Sequence, residues 1–134
     1  MKYLLCAVIW FCTFTIYAEL PALIPREILF GNRERADPKI SPDGAQLGWL
    51  APDKNGVINV WLSALDGAKP HPVTSETGYP IHYYRWAADG KHILYLHDNN
   101  GDEIDHLFSV DLTSGNVRDL TPFRGVRAQN ILTD

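Results

Sequence analysis

The sequence repeats itself. "ISPDGAQLGWL" at residues 40–50 and "WAADGKHILYL" at residues 86–96 each set an Asp-Gly turn before a hydrophobic run, and Gly44 and Gly90 are 46 residues apart. The match continues in order. "NVWLSAL" at 59–65 returns as "HLFSVDL" at 106–112, an offset of 47. The turn at Asp66-Gly67 is answered by Thr113–Gly115, and "PVTS" at 72–75 by "DLTP" at 119–122. Self-similarity at a period of this size is the signature of a repeat architecture.

Each unit reads as short strands. "QLGWLA" and "HILYLH" are aromatic and aliphatic runs bounded by turn residues. Alternation places Trp61, Ser63 and Leu65 on one face of their strand, and Phe108, Val110 and Leu112 on the matching face of the equivalent strand. Helices need ten or more periodic residues, and Gly or Pro interrupts sooner. In "SPDG", Pro42 presets φ, Asp43 suits the third turn position and Gly44 accepts a positive φ. With "PKIS" and "HYYRW" before the Asp-Gly turns and "KPHPVT" and "NVRDLT" after the later strands, each unit contains about four strands. Four short antiparallel strands recurring at this interval describe a blade of a β-propeller. The fold class expected is all-β: a partial propeller of about two four-stranded antiparallel blades after an N-terminal signal helix. A β-sandwich is the competing architecture, but it does not require aligned internal sequence.

The first twenty residues, "MKYLLCAVIWFCTFTIYAEL", stand apart. Lys2 precedes an uncharged run from Tyr3 to Ala18, the pattern of a secretory signal peptide. Glu19 interrupts before the roughly 20 apolar residues of a spanning helix are reached. Membrane attachment is expected only through an uncleaved leader. Cys6 and Cys12, the only cysteines, fall in this segment, so the exported remainder has no disulfide, thiolate nucleophile or Cys-based zinc site. The expected organisation is leader 1–18, linker 19–35, first blade 36–78, second blade 79–123, and the start of an incomplete third blade at 124–134. Propellers typically close with four to eight blades, so the sequence reads as the front of a longer protein, exported to the periplasm or beyond. A net charge of −4 argues against non-specific nucleic-acid binding, and the pairs Arg33/Arg35 and Arg124/Arg127 read as solvated surface.

Three constellations invite a functional reading. "DNNGDEIDH" carries Asp98, Asn100, Asp102, Glu103 and Asp105, oxygen ligands of a kind that bind calcium. Yet Glu103 stands where an EF-hand needs glycine and Ser109 occupies its twelfth position. The bland reading is a solvated hairpin tip with Asn-Gly turn chemistry; a third is that the acids meet the amino terminus of a substrate. His71, His82, His92, His97 and His106 lack local metal-ligand spacing and read as surface or edge residues. Trp49, Trp61, Trp86, Tyr83, Tyr84 and Tyr95 could form a sugar- or peptide-binding platform, but recurrence at matching positions favours packing between blades. No metal and no cofactor is expected, and no catalytic residue is identified.

The stretches "IPREILFGNRERADPKISPDGAQLGWLAPDKNGVINVWL" and "RWAADGKHILYLHDNNGDEIDHLFSVDLTSGNVRDLTPFRGVRAQ" resemble the N-terminal propeller of secreted prolyl oligopeptidase-family serine peptidases. The likeness is to members of the acylaminoacyl peptidase or dipeptidyl aminopeptidase type, and it covers nearly all of the chain after the leader. The "SPDG" turn alone is weak, because other secreted propellers share it, among them the periplasmic one of the Tol system. The resemblance implies peptide substrates, further blades and a C-terminal α/β-hydrolase domain with a Ser-Asp-His triad. That chemistry needs a serine on a G-x-S-x-G elbow, and none of the ten glycines has serine two places later. The expected function is therefore that of a non-catalytic propeller portion of an exported peptidase, which restricts and orients peptides. The alternative is part of a non-enzymatic secreted or periplasmic propeller that binds other proteins.

Overall fold

A computed structural model describes residues 34–98, 101 and 103–132. The leader, most of the linker, and Asn100 and Asp102 of the acidic loop lie outside the described residues. Two four-stranded antiparallel sheets succeed one another along the chain, each in sequence order from edge to edge. The first contains β1 (Ala36–Ile40), β2 (Gln46–Pro52), β3 (Ile58–Ala64) and β4 (His71–Pro72). The second contains β5 (Tyr83–Trp86), β6 (His92–Asp98), β7 (Asp105–Asp111) and β8 (Val117–Asp119). Each sheet is a meander, so the chain carries two blade-like units joined by a single crossover.

The turns explain why the strands begin where they do. In the first, Gly44 N–H donates to the Ser41 carbonyl at 2.9 Å, while Asp43 Oδ1 accepts from Ala45 N–H at 3.0 Å and from Ser41 Oγ at 2.6 Å. In the second, Gly90 N–H donates to the Ala87 carbonyl at 3.0 Å and Asp89 Oδ1 accepts from Lys91 N–H at 2.8 Å. Losing the proline costs this turn nothing in hydrogen bonding, because the Asp side chain closes it locally.

The repeat persists in the hydrogen bonds that tie each sheet to the segment leaving its third strand. Val73 N–H donates to the Val60 carbonyl and Leu120 N–H to that of Leu107; Ile81 N–H donates to the Ile58 carbonyl and Ala128 N–H to that of Asp105. Val60 N–H meets the Thr74 hydroxyl at 2.9 Å, and Leu107 N–H meets that of Thr121 at 2.9 Å. Every pair is displaced by 47 residues. The two copies therefore share their crossover geometry as well as their strand pattern.

One core lies between the sheets. Leu50, Val60 and Leu62 of the first pack against Tyr84, Trp86, Ile93, Tyr95 and Val110 of the second, with Ile81 of the crossover among them. The equivalence of the copies explains an asymmetry that alternation alone does not settle. On β7 the face bearing Phe108 and Val110 turns to the core, as the pattern predicts. On β3 the equivalent face bears Trp61 and Ser63, and it is the opposite one, with Val60 and Leu62, that is buried. Successive sheets stack front to back, so each uses one face toward its predecessor and the other toward its successor. The aromatic set divides accordingly. Tyr84, Trp86 and Tyr95 join the shared core. Trp49 is buried but lies outside that cluster, with the Arg35 guanidinium 4.9 Å from its ring centre. Trp61 is half-buried and donates its indole N–H to the Ala51 carbonyl at 3.0 Å.

The tightest point of the core is Gly48. A Cβ there would lie 3.0 Å from Leu62 Cδ2 and 3.1 Å from Tyr84 Oη, so any larger residue would press Leu62 and the phenol aside by a few tenths of an ångström. The phenol passes over Gly48 to donate to the Asp37 carbonyl at 2.9 Å. That carbonyl is presented by an irregularity in β1, where the register with β2 slips between Ala36 and Lys39 and Asp37 adopts φ of 51°. Trp86 makes the next tie, donating its indole N–H to the Lys39 carbonyl at 3.2 Å. Burial holds the Tyr84 phenol well above its ordinary pKa, and the Asp37 charge adds to the shift. It stays a neutral donor.

Gly48→Val should destabilise the fold by about 1–3 kcal/mol through overpacking, and Tyr84→Phe by about 1 kcal/mol through loss of one hydrogen bond; urea unfolding followed by tryptophan fluorescence measures both. The turn carboxylates set the acid limit. Asp43 is held below the usual carboxylate pKa by the Ser41 hydroxyl and then Ala45 N–H, Asp89 by Lys91 N–H and then His92, and Asp111 by the N–H groups of Ser114 and Thr113. A lowered folded-state pKa contributes stability that is present above the unfolded value of about 3.9 and lost as pH falls through the folded value. The contribution of these three carboxylates should therefore decline as pH falls below about 4. Converting Asp43, Asp89 and Asp111 together to Asn should flatten that decline in an acid titration read by circular dichroism.

Candidate functional site

A concavity of the second sheet lies at the end where the crossover enters and the β6–β7 hairpin turns. Tyr79, Pro80, His82 and Tyr83 form one side, Leu96, His97 and Asp98 another, and Glu103, Asp105 and Arg127 close it around about 390 Å³. The lining combines apolar and aromatic side chains with charged ones. Asp98 ends β6, Asp105 begins β7, and Glu103 lies between them in the loop at φ of 59°. Arg127 reaches Asp105 Oδ2 with Nη2 at 3.1 Å and Nε at 3.3 Å. Asp98 and Glu103 remain as carboxylates with no ion-pair partner among the described residues.

A buried asparagine positions the crossover wall. Asn59, in β3, accepts from the Thr74 hydroxyl and from Glu76 N–H, each at 2.8 Å, and donates to the Glu76 carbonyl at 3.1 Å. This clamp holds the Glu76 carboxylate above the second sheet, where Tyr95 donates to its Oε1 at 2.9 Å. Glu76 and burial together keep the Tyr95 phenol protonated, raising its pKa, with burial the larger cause. His97 Nε2 lies 3.6 Å from Glu76 Oε2 and 3.0 Å from the Tyr79 carbonyl, which fixes the proton on Nε2 as the donor to that carbonyl. Tyr79 in turn rests on the hairpin tip. A Cβ on Gly101 would collide with the Tyr79 ring, and φ of 79° at Gly101 supports the turn chemistry expected of Asn100-Gly101.

The remaining sequence candidates disperse. His71 and His82 are exposed. His92 sits between two turns, with Nδ1 2.7 Å from Asp89 Oδ2 and Nε2 3.7 Å from Asp111 Oδ2. His97 and His106 face each other across β6 and β7, and both flank the Phe108 ring. His106 Nδ1 pairs with Asp119 Oδ2 at 2.8 Å, at the position equivalent to Asn59. Among the described residues no three His, Asp or Glu side chains converge as metal ligands. Glu76, Tyr79 and Arg127 carry no mark in the sequence as parts of a site. Their participation depends on the crossover geometry, which the repeat alignment of Gly78 with Gly125 could have indicated.

The mixed lining, with Asp98 and Glu103 not ion-paired among the described residues, can receive a group that is apolar in part and cationic in part. Among the described residues that line it, none is a nucleophile paired with a base. Replacing Asn59 with Ala should leave the Thr74 hydroxyl and Glu76 N–H without their acceptor and cost about 1–3 kcal/mol, measured by urea unfolding, with faster exchange of the Glu76 amide seen by NMR.

No protein-family model matches the chain. Dipeptidyl aminopeptidase BIII of Pseudoxanthomonas mexicana is 46% identical over 108 residues, which are 80% of this chain and 16% of that protein. The chain thus spans about one sixth of this relative's length. Among solved structures, a protein described as TolB of Agrobacterium tumefaciens superposes with a TM-score of 0.52 at 30% identity, covering 63% of this chain and 29% of that one. The β-propeller domain of the trilobed protease of Pyrococcus furiosus superposes with a TM-score of 0.52 at 19% identity, covering 63% of this chain and 27% of that one. The second likeness bears on the fold alone, and the fold is that of propeller blades. The two sheets are thus consecutive blades of a partial β-propeller, and the chain is a homologue of part of the dipeptidyl aminopeptidases.

Proposed function

We propose that the chain forms the opening blades of an exported serine peptidase of the prolyl oligopeptidase family, whose propeller admits and orients peptides for a hydrolase domain elsewhere in the protein. The observation that carries this reading is the 46% identity to dipeptidyl aminopeptidase BIII, which extends over 80% of the chain. The cleft suits the role. It combines apolar and charged side chains at the end of a blade, where a peptide end could be held without being cut. The leader at 1–18 supports export, and residues 124–134 read as the opening of a third blade because Ala128 bonds to Asp105 as Ile81 bonds to Ile58.

A second reading is that of a non-enzymatic secreted or periplasmic propeller that binds other proteins; the 30% identity to the protein described as TolB shows that the likeness extends beyond proteins described as peptidases. The identity is lower and covers less of the chain. The DNA downstream of codon 134 separates the two. A G-x-S-x-G elbow followed by Asp and His several hundred codons on supports the peptidase, whereas its absence after six or seven blades supports the binding module. The 134-residue chain itself should release no chromophore from aminoacyl or dipeptidyl nitroanilides. Turnover by purified chain, abolished by a serine-reactive inhibitor, would overturn the non-catalytic assignment.

A further inference from the structure

Hydrogen bonds from the second sheet reach the backbone of the first along one edge. Tyr84 and Trp86 of β5 donate to the backbone of β1, and no corresponding bond joins β4 to β8 among the described residues. β1 and β5 are the equivalent first strands of the two blades and are tied to each other, and we read this edge as the inner one, toward the central channel around which blades are arranged.

Basic residues occupy equivalent places on this edge. Lys39 pairs in register with Gly48 and Arg85 with Leu94, and both pairs are displaced by 46 residues, as the Asp-Gly turns are. The two cations gather around one aromatic group. Lys39 Nζ lies 4.5 Å from the Tyr84 ring centre and 5.9 Å from that of Tyr83; Arg85 Cζ lies 5.7 Å from the Tyr83 ring centre, and Arg85 Nε donates to the Tyr83 hydroxyl. Asp37 partners Lys39. Among the described residues Arg85 has no carboxylate partner. The chain as a whole is acidic, with net charge −4, whereas at this edge two cations stand against one carboxylate. Guanidinium and ammonium groups beside a tyrosine match the needs of a carboxylate that arrives with an apolar chain attached.

We propose that Lys39 and Arg85, at equivalent positions on the two inner-edge strands around Tyr83, form a carboxylate-binding rail for peptides. The rail deepens the peptide-handling reading and rests on it. It selects for negative charge on the peptide, a preference distinct from the acid-lined cleft at the blade end.

Binding of four-residue peptides to the 134-residue chain, followed by tryptophan and tyrosine fluorescence, tests the proposal. Acetyl-tetraglutamate amide carries side-chain carboxylates only, acetyl-tetraglutamine free acid carries a C-terminal carboxylate only, and acetyl-tetraglutamine amide carries neither. At least one carboxylate peptide should bind more tightly than the neutral one, with the gap narrowing as salt rises. Which of the two wins identifies the carboxylate that the rail takes. Lys39→Gln and Arg85→Gln should each weaken that peptide about threefold and together about tenfold, the range of partly exposed charge pairs, while the neutral peptide is unaffected. Near-ultraviolet circular dichroism checks that Trp86 keeps its packed environment in each variant. Equal binding of all three peptides, or unchanged carboxylate binding in the double variant, overturns the rail and leaves the peptide-handling reading standing. Binding of none of them overturns both.

Discussion

The structure depends on how one phenol crosses from the second sheet to the first. Tyr84 is fully buried, passes over the bare backbone of Gly48, and ends on a carbonyl that a slip in β1 has turned toward it. Three local irregularities meet there: a glycine in the middle of a strand, a non-glycine residue at positive φ, and a tyrosine with its hydroxyl deep in an apolar layer. Each is unfavourable alone. Glycine weakens a strand, positive φ strains an aspartate, and an unpaired buried hydroxyl costs more than its hydrogen bond returns. Together they cancel, because the hydroxyl is satisfied by the carbonyl that the strained residue presents through the gap that the glycine leaves.

This lock fixes the order of the layers. With Tyr84 and Trp86 committed to the first sheet, the opposite face of the second sheet is left to whatever succeeds it, and Trp61 and Ser63 of the first sheet turn to whatever precedes it. The same arrangement sets the site. The crossover that delivers β5 to its place also carries Glu76, Tyr79 and His82 to the end of the blade, with Asn59 holding its first turn. Cleft and core are two ends of one connecting segment.

Much of the fold is legible in the repeat. The turns at Asp43-Gly44 and Asp89-Gly90 and the strand stretches around them are where the spacing places them, because turn chemistry is local and Asp side chains close these turns without help from tertiary contacts. Which face of each strand is buried is less legible. Alternation gives two faces, but a stacked sheet uses both, and the choice between Val60 and Trp61 for the inner layer comes from stacking order rather than from hydropathy. The acidic loop is visible as a cluster of oxygen side chains, whereas the groups facing it are not. Arg127 comes 22 residues after Asp105, and nothing in either residue's neighbourhood announces the pairing. The aromatic residues read as packing, and for Tyr84, Trp86 and Tyr95 that holds; Tyr83, one residue from Tyr84, turns instead to the cleft and the inner edge.

The Asn59 clamp bears on how such repeats can change length. Its hydrogen bonds tie residues 74 and 76 directly to β3, whereas the β3–β4 turn at 65–69 is exposed, and its bonds to Ala45 and Ser63 come from Leu65 and Ala68 on either side of Asp66-Gly67. Extra residues inserted at the turn would loop out into water with the sheet intact. The same insertion between 73 and 81 would move the next strand out of register with its predecessor and unseat the tyrosine beyond it. Length variation among homologous blades should therefore accumulate at the outer turn, while the crossover keeps a fixed span like the pitch of a screw.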